Sequence, residues 1–193
     1  MNSTAGPERM GPIAPEKMND AQKKVAADIA ATPRGSVRGP FNVMLRSPGL
    51  AGAVQKVGAY LRYKCPLEKR VMEVALLLTA RALTQQYEWT AHSESAPKAG
   101  VKAETVEAIG EGRRPQDMAP DEALAYDFVT ELLTTRGVSD KTYARAVEKF
   151  GEHGVVDIVG VVGYYSLIGM QMNVARTAVP EGKPPQPLAR FPL

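Results

Sequence analysis

The sequence predicts an all-α fold of about seven or eight helices. The alternation of apolar and polar residues that is typical of β-strands is almost absent, and apolar residues recur at helical spacing instead. No proline occurs between Pro120 and Pro180, which agrees with long helices because proline disrupts a helix interior. With 193 residues, 44% of them hydrophobic, the chain is long enough for one domain with its own core.

Capping residues and prolines predict where the helices begin. Asn19 and Asp20 can cap a first helix that runs to about Ala31, and residues 32–42, rich in turn-forming residues, are expected to form a loop. Proline suits the first position of a helix because the N–H that it lacks has no partner there. Further helix starts are therefore predicted at Ser47-Pro48, at Cys65-Pro66, between Asp117 and Asp121, and at Ser139.

The last helix is apolar on nearly every side. Residues 154–175 are long enough to cross a bilayer of ~30 Å, but polar residues such as Asp157 and Asn173 interrupt them. We therefore expect this helix to be buried in the core or at a subunit interface. His153, just before it in a Gly-Glu-His-Gly sequence, is expected in an exposed turn. The predicted organisation is an N-terminal arm (1–15), a helical domain (16–179) and a proline-rich tail (180–193).

Composition excludes several classes of function. The single cysteine, Cys65, permits neither an intramolecular disulfide nor a Cys-x-x-Cys redox pair, and two histidines far apart in sequence argue against a zinc site. Basic and acidic residues are interleaved with a net charge of only +3, which argues against a nucleic-acid partner. An N-terminus without an apolar signal region, together with the free cysteine, predicts a cytoplasmic protein that is not bound to a membrane.

Glu73 is the first candidate for a chemical role. It lies at the start of the apolar run 71–83, where an ionised carboxylate is costly unless it is paired, and where desolvation would raise its pKa. The alternative is that Glu73 faces solvent or pairs with an arginine such as Arg70 or Arg81.

Glu88 and His92 form a second candidate pair. They are four residues apart and share one face of a helix, so the carboxylate can orient the imidazole and raise its basicity. Such a pair is suited to general acid–base catalysis, although it is equally compatible with a surface ion pair. On an unbroken helix, Glu73 and His92 would lie about 28 Å apart, so they can cooperate only if the chain bends between them.

The glutamate, the histidine nineteen residues later and the Tyr87-Glu88-Trp89 sequence before it resemble the carboxymuconolactone decarboxylase family. The similarity covers roughly residues 15–188 and is carried by segments 39–48, 61–101 and 154–176. It implies the all-helical fold that this family shares with AhpD-like alkylhydroperoxidases. It also implies a break in the helix near Thr84 to Gln86, with Glu73 and His92 converging on one pocket.

This chain departs from the thiol-dependent branch of that fold group. The AhpD-like branch carries cysteines seven and four residues before the histidine, and Gln85 and Glu88 occupy these positions here.

The resemblance therefore implies a decarboxylase without a cofactor or metal, acting on a small carboxylated lactone or related acid through His92, Glu88 and Glu73. A hydratase, cyclase, isomerase or C–C lyase with the same site is the alternative. A second alternative is a non-catalytic oligomer that binds a ligand. In that case the three residues should form a closed ion-pair network with no adjoining cavity. A thiol peroxidase is disfavoured.

The resemblance also implies an assembly and a set of substrate contacts. A ring-like homo-oligomer, a trimer or hexamer, is expected, with the apolar last helix and the proline-rich tail as interface elements. The expected partner is a small-molecule substrate, and the candidate residues that contact it are Tyr87, Trp89, Arg46, Phe41 and Gln85.

Overall fold

The computed structural model describes residues 7–179 and Leu188, and it confirms the all-α fold. The described residues contain no β-strand, and a single turn of 3₁₀ helix (Pro15–Lys17) precedes eight α-helices. These are α1 (Asp20–Ala30), α2 (Pro40–Met44), α3 (Pro48–Tyr63), α4 (Lys69–Ala82), α5 (Gln86–Lys98), α6 (Ala103–Gly110), α7 (Pro120–Thr135) and α8 (Asp140–Ala175). The predicted proline-rich tail lies outside the described residues, except for Leu188.

Two helix starts agree with the sequence-based predictions. The Asn19 side chain accepts a hydrogen bond from the Gln22 N–H at 2.9 Å, and the Gln22 side chain accepts one from the Asn19 N–H at 3.0 Å. This reciprocal capping fixes the start of α1. Pro48 is the first residue of α3, as expected.

Two other predictions for the first half of the chain were wrong. Residues 32–42 are not all loop, because Pro40 occupies the first position of the short helix α2. Cys65-Pro66 does not open a helix, and α4 begins three residues later, at Lys69. The reason is that the Cys65 N–H still bonds to the carbonyl oxygen of Tyr60 at 2.9 Å, so Cys65 belongs to the C-terminal cap of α3, just after its last residue, Tyr63.

The predicted short helix at Ser139 and the final long helix form one element, α8. The Ser139 side chain caps α8, accepting from the Thr142 N–H at 3.4 Å. Gly151, with φ of 69°, kinks α8 without ending it. His153 is therefore helical and does not lie in a turn, although its side chain is exposed as expected.

Helix α8 is the one helix of the described chain that is long and apolar enough to span a membrane, yet it packs as a core helix. Ile158, Val161, Ile168 and Met172 are almost fully buried along one side. Helix α4 runs through the centre and packs against α5, α6, α7 and α8. Two neighbours of the central helix, α5 and α8, therefore surround the side chain of Glu73 on α4.

A buried ion pair joins the start of α4 to α7. The Arg70 guanidinium donates to both carboxylate oxygens of Asp121, at 2.7 Å for the Nη1–Oδ1 pair, and lies 3.5 Å from Glu122. Asp121 is 4% exposed and Glu122 is 3% exposed. Burial alone would raise the pKa of Asp121, but the hydrogen bonds and charge of Arg70 hold it below its usual range.

Replacing Arg70 with methionine should destabilise the protein strongly, because two buried carboxylates would lose their counter-charge. We expect the Arg70→Met variant to lose about 3 kcal/mol of unfolding free energy at neutral pH, measured by urea denaturation. Lys24→Met is the matched control, since it breaks the exposed Lys24–Asp28 pair and should cost about 0.5 kcal/mol or less. Equal effects of the two substitutions would contradict this account.

Candidate functional site

The site is created by a sharp turn between α4 and α5. Thr84 adopts a positive φ of 48°, a conformation that is uncommon for residues other than glycine and unusual for a β-branched one. The Gln85 side chain then caps α5, accepting from the Glu88 N–H at 2.9 Å. The turn folds α5 back against α4, so residues distant along the chain meet between the two helices. The break lies where the family resemblance implied it.

Three side chains converge across this helix pair. His92 Nδ1 lies 2.9 Å from a carboxylate oxygen of Glu73, and His92 Nε2 lies 3.4 Å from a carboxylate oxygen of Glu88. The side chains of His92, Glu73 and Glu88 are 11%, 17% and 7% exposed, respectively. Glu73 therefore neither faces solvent nor pairs with Arg70, whose guanidinium is bound to α7. The structure brings together all three residues predicted to be catalytic.

The two carboxylates keep His92 protonated at neutral pH. Burial alone would lower the pKa of His92, because it removes the charged imidazolium from water. Hydrogen bonds to Glu73 and Glu88, and the negative charges of these carboxylates, outweigh the burial and raise the pKa from 6.5 to about 9. His92 is therefore an imidazolium held between two carboxylates, a group that can donate a proton and recover it.

Two cavities meet at His92. A large cavity of about 610 Å³ contains Glu88 in its wall, and a small cavity of about 350 Å³ contains Glu73. His92 lines both. The ion-pair network is therefore open to cavities, unlike the closed network that a purely structural cluster would form.

The large cavity is lined by arginines and aromatic residues. The Arg34 guanidinium lies 4.7 Å from the centre of the Phe41 ring and donates to the Tyr164 hydroxyl at 3.4 Å, while its Nε is buried without a partner. Among the described residues, no carboxylate lies within 4 Å of the guanidinium of Arg34, Arg38 or Arg62. Three guanidinium groups that form no ion pair with a described carboxylate favour an anionic ligand, since arginine binds carboxylates through paired hydrogen bonds.

Two of the predicted substrate contacts line the large cavity. Phe41, at the start of α2, and Tyr87, in the first turn of α5, both contribute to its wall. The ring of Tyr87 lies against Gly39, where a side-chain Cβ would come within 2.8 Å of it. Gly39 also has a positive φ of 56°, so the backbone and the aromatic contact both favour glycine there.

The structure does not bring the other three predicted contacts to a cavity. Trp89 is 4% exposed and packs against Gly110 of α6, because it lies on the opposite side of α5 from the cavity. Arg46 is exposed and donates to the backbone oxygens of Asn42 and Gly11. Gln85 is occupied as the cap of α5 and as a donor to Asn173.

Several lining residues were missed by sequence reasoning. They are Arg34, Arg38 and Arg62, together with Tyr63 and Tyr165. Arg34 and Arg38 lie in a segment that the sequence marks only as turn-forming, and Arg62 looks like an ordinary surface residue at the end of α3. The signal that identifies the three arginines is that none forms an ion pair with a described carboxylate, and spacing along the chain does not show it.

Cys65 lies apart from both cavities. Its thiol donates to a carboxylate oxygen of Asp157 at 3.4 Å. Burial, reinforced by Asp157 and opposed by a backbone hydrogen bond at Leu67, raises the pKa of Cys65. A thiol that is held protonated is a poor nucleophile. The described residues also contain no group of three His, Cys, Asp or Glu side chains arranged as metal ligands.

Comparison with solved structures identifies the fold as AhpD-like. An uncharacterised peroxidase-related protein from Ralstonia eutropha JMP134, described as an alkylhydroperoxidase AhpD core, superposes with a TM-score of 0.74 at 17% identity. The match covers 92% of this chain and 95% of that protein. The apo debrominase Bmp8 superposes with a TM-score of 0.65 at 11% identity, covering 89% of this chain and 92% of Bmp8.

Sequence comparisons add no closer relationship. No protein-family profile matches the chain, and no curated protein matches it significantly. At these identities the solved structures establish the fold alone. The chemistry must therefore be argued from the residues around His92.

The protonated state of His92 should make stability depend on pH. Because its pKa is higher in the folded protein than in the unfolded chain, its contribution is fully present below about pH 6.5 and is lost as the pH rises through about 9. The difference in unfolding free energy between wild type and His92→Gln should therefore shrink across this range, measured by urea denaturation.

An exposed residue without an ionisable group supplies a control for this profile. Leu50 on α3 is 40% exposed, so the Leu50→Ala variant should follow the pH profile of the wild type. A His92→Gln difference that stays constant between pH 6 and pH 10 would show that His92 is not charged in the folded protein.

Proposed function

We propose that this chain is a cofactor-independent enzyme that transfers protons on a small organic acid, with decarboxylation of a carboxylated lactone or related acid as the reaction. The observation that carries the proposal is the His92 imidazolium, held by Glu73 and Glu88 beside a cavity whose arginines form no ion pair with any carboxylate that the structure describes. The cavity supplies a binding site for an acid, and the imidazolium supplies the proton that replaces the lost carboxyl group.

In the proposed reaction, the substrate loses one molecule of CO₂ and gains one proton at the same carbon. The bond between the substrate carbon and its carboxylate breaks, and its electron pair moves into a conjugated carbonyl group to form an enolate. His92 then donates its proton to the substrate carbon, and the electron pair returns from the enolate oxygen. Solvent then restores the proton to the imidazole through the small cavity, whose wall contains both Glu73 and His92.

The arginines would hold a second acidic group of the substrate. Arg34 and Arg38, before α2, and Arg62, near the end of α3, line the same cavity as His92, so a substrate whose anionic group binds the arginines would share that cavity with the imidazolium. Such positioning converts the chemical step into a reaction within one complex, which is a major source of enzymatic rate enhancement.

The same groups could catalyse hydration, cyclisation, isomerisation or C–C cleavage of a related acid. A thiol peroxidase would need a nucleophilic thiolate and a resolving thiol, and the sequence contains a single cysteine.

The reaction can be identified by incubating the protein with a panel of carboxylated lactones and unsaturated acids in D₂O, followed by NMR. Loss of CO₂ with incorporation of one deuterium supports decarboxylation, whereas deuterium exchange or hydration without loss of CO₂ contradicts it.

A cytoplasmic location and a homo-oligomeric assembly, a trimer or hexamer, are also part of the proposal. Support for the assembly comes from large apolar side chains that are exposed on α8, namely Val156, Val159, Met170 and Val174. An apolar surface of this kind is typical of subunit interfaces.

Removing the imidazole should abolish turnover. We expect His92→Ala to lose at least about 10³-fold in kcat on the substrate found by the panel, because it removes the proton donor. Cys65→Ser is the matched control and should retain wild-type kcat, since Cys65 lies outside both cavities. A fully active His92→Ala enzyme, or an inactive Cys65→Ser enzyme that is correctly folded, would refute the proposed mechanism.

Removing one guanidinium should weaken substrate binding more than it slows the chemical step. We expect Arg34→Met to raise KM by about tenfold, corresponding to the loss of one charge-assisted contact, with a smaller change in kcat. Arg145→Met, an exposed residue on α8 outside the cavities, should leave KM unchanged. An unchanged KM for Arg34→Met would show that the cavity arginines do not bind the substrate.

A further inference from the structure

Tyr165 lies at the junction of the two cavities. It projects from α8, lines both cavities and is 5% exposed. Its ring meets the His92 imidazole edge to face, with centroids 5.7 Å apart and an interplanar angle of 78°. Any ligand that contacts His92 from either cavity therefore lies beside Tyr165.

The Tyr165 hydroxyl has no hydrogen-bond partner within the part of the chain that the structure describes. Buried tyrosine hydroxyls normally find one. Tyr60 donates to Asp157 at 3.0 Å, and the Tyr164 hydroxyl accepts from Arg34 at 3.4 Å. The Tyr165 oxygen is also not among the fully enclosed polar atoms that lack a partner, so it keeps some accessible surface. Because Tyr165 lines both cavities, its hydroxyl is available as a donor to a ligand bound there.

The electrostatic setting keeps this hydroxyl protonated. Burial raises the pKa of Tyr165 well above its ordinary value of 10, and the negative charge of Glu88 raises it further, against the opposing effect of Arg62. Tyr165 is therefore unsuited to act as a base at neutral pH. It can donate a hydrogen bond without losing its proton.

We propose that Tyr165 is a catalytic residue that donates a hydrogen bond to the oxyanion that develops on the substrate. This inference rests on the proposed function, in which the electron pair of the broken bond moves onto a conjugated carbonyl oxygen. The hydrogen bond strengthens as that oxygen gains charge, and the phenolic proton stays on Tyr165 throughout. His92 protonates the substrate carbon, and Tyr165 stabilises the negative charge on the substrate oxygen.

The substrate class follows from this arrangement. The substrate must carry a carbonyl oxygen conjugated to the carbon that receives the proton, and an acidic group that reaches the arginines of the large cavity. A saturated acid without such a carbonyl offers no acceptor to Tyr165 and should not react.

Binding of an oxyanion probe tests the role of Tyr165 without knowledge of the substrate. 4-Hydroxy-3-nitrobenzoate carries a carboxylate for the arginines and a phenolate whose visible absorbance reports its ionisation. We expect Tyr165→Phe, which removes a single oxygen atom, to bind the phenolate about tenfold or more weakly than the wild type. Tyr143→Phe is the matched control on the same helix, with a side chain that is exposed, and it should bind like the wild type.

Activity assays separate this inference from the proposed function. With the substrate from the panel, Tyr165→Phe should lose about 10²-fold in kcat with little change in KM, because the oxyanion forms only during the reaction. Probe binding that is equal in wild type and Tyr165→Phe, or absent in both, overturns the role of Tyr165. Weaker probe binding by Tyr165→Phe, combined with no turnover of any acid by the wild type, supports the role of Tyr165 as an oxyanion donor and refutes the proposed reaction.

Discussion

One buried charge determines how this helical bundle is organised around its site. The His92 imidazolium lies between the carboxylates of Glu73 and Glu88, with its side chain only 11% exposed. A charge in such a setting is costly unless it is paired and hydrogen-bonded, and here both ring nitrogens have a carboxylate partner. Two carboxylates for one imidazolium leave a net negative charge at the cluster.

Other features of the fold serve to hold this cluster in place. The turn at Thr84 is needed because the Glu73 and His92 side chains can meet only if α5 folds back on α4. Tyr165, on the buried side of α8, packs edge to face with the imidazole. At the start of α4, the Arg70–Asp121 pair anchors the helix that carries Glu73 to α7. At the His92 cluster and at the Arg70–Asp121 pair, a buried charge is thus stabilised by an opposite charge beside it.

Sequence reasoning reached the helical fold and the three residues of the cluster for different reasons. Helical periodicity and capping residues are local signals, so the starts of α1 and α3 could be predicted directly. The contact between Glu73 and His92 could not, because Thr84 is not a residue whose identity indicates a positive φ, and only the family resemblance implied the break. Cys65-Pro66 was misread as a helix start because proline at a helix start and proline after a helix end look alike in sequence.

The substrate contacts were the least predictable part of the site. Trp89 lies between Glu73 and His92, and Arg46 lies in a segment that carries the family resemblance, yet one faces α6 and the other binds the backbone near the N-terminus. Arg34 and Arg38 precede that segment, and they and Tyr165 on α8 reach the cavity only through the packing of the helices. Whether an arginine forms an ion pair depends on its three-dimensional neighbours, and the cavity arginines form none with the carboxylates that the structure describes.

The charge state of His92 is the central claim, and NMR of its imidazole tests it most directly. The chain has only two histidines, so a His153→Gln variant leaves His92 as the sole source of histidine ring signals. In ¹⁵N-labelled protein, both ring nitrogens of His92 should be protonated at neutral pH, with a titration midpoint at about pH 9. A neutral ring at neutral pH, with a midpoint at or below the ordinary value of 6.5, would contradict the account.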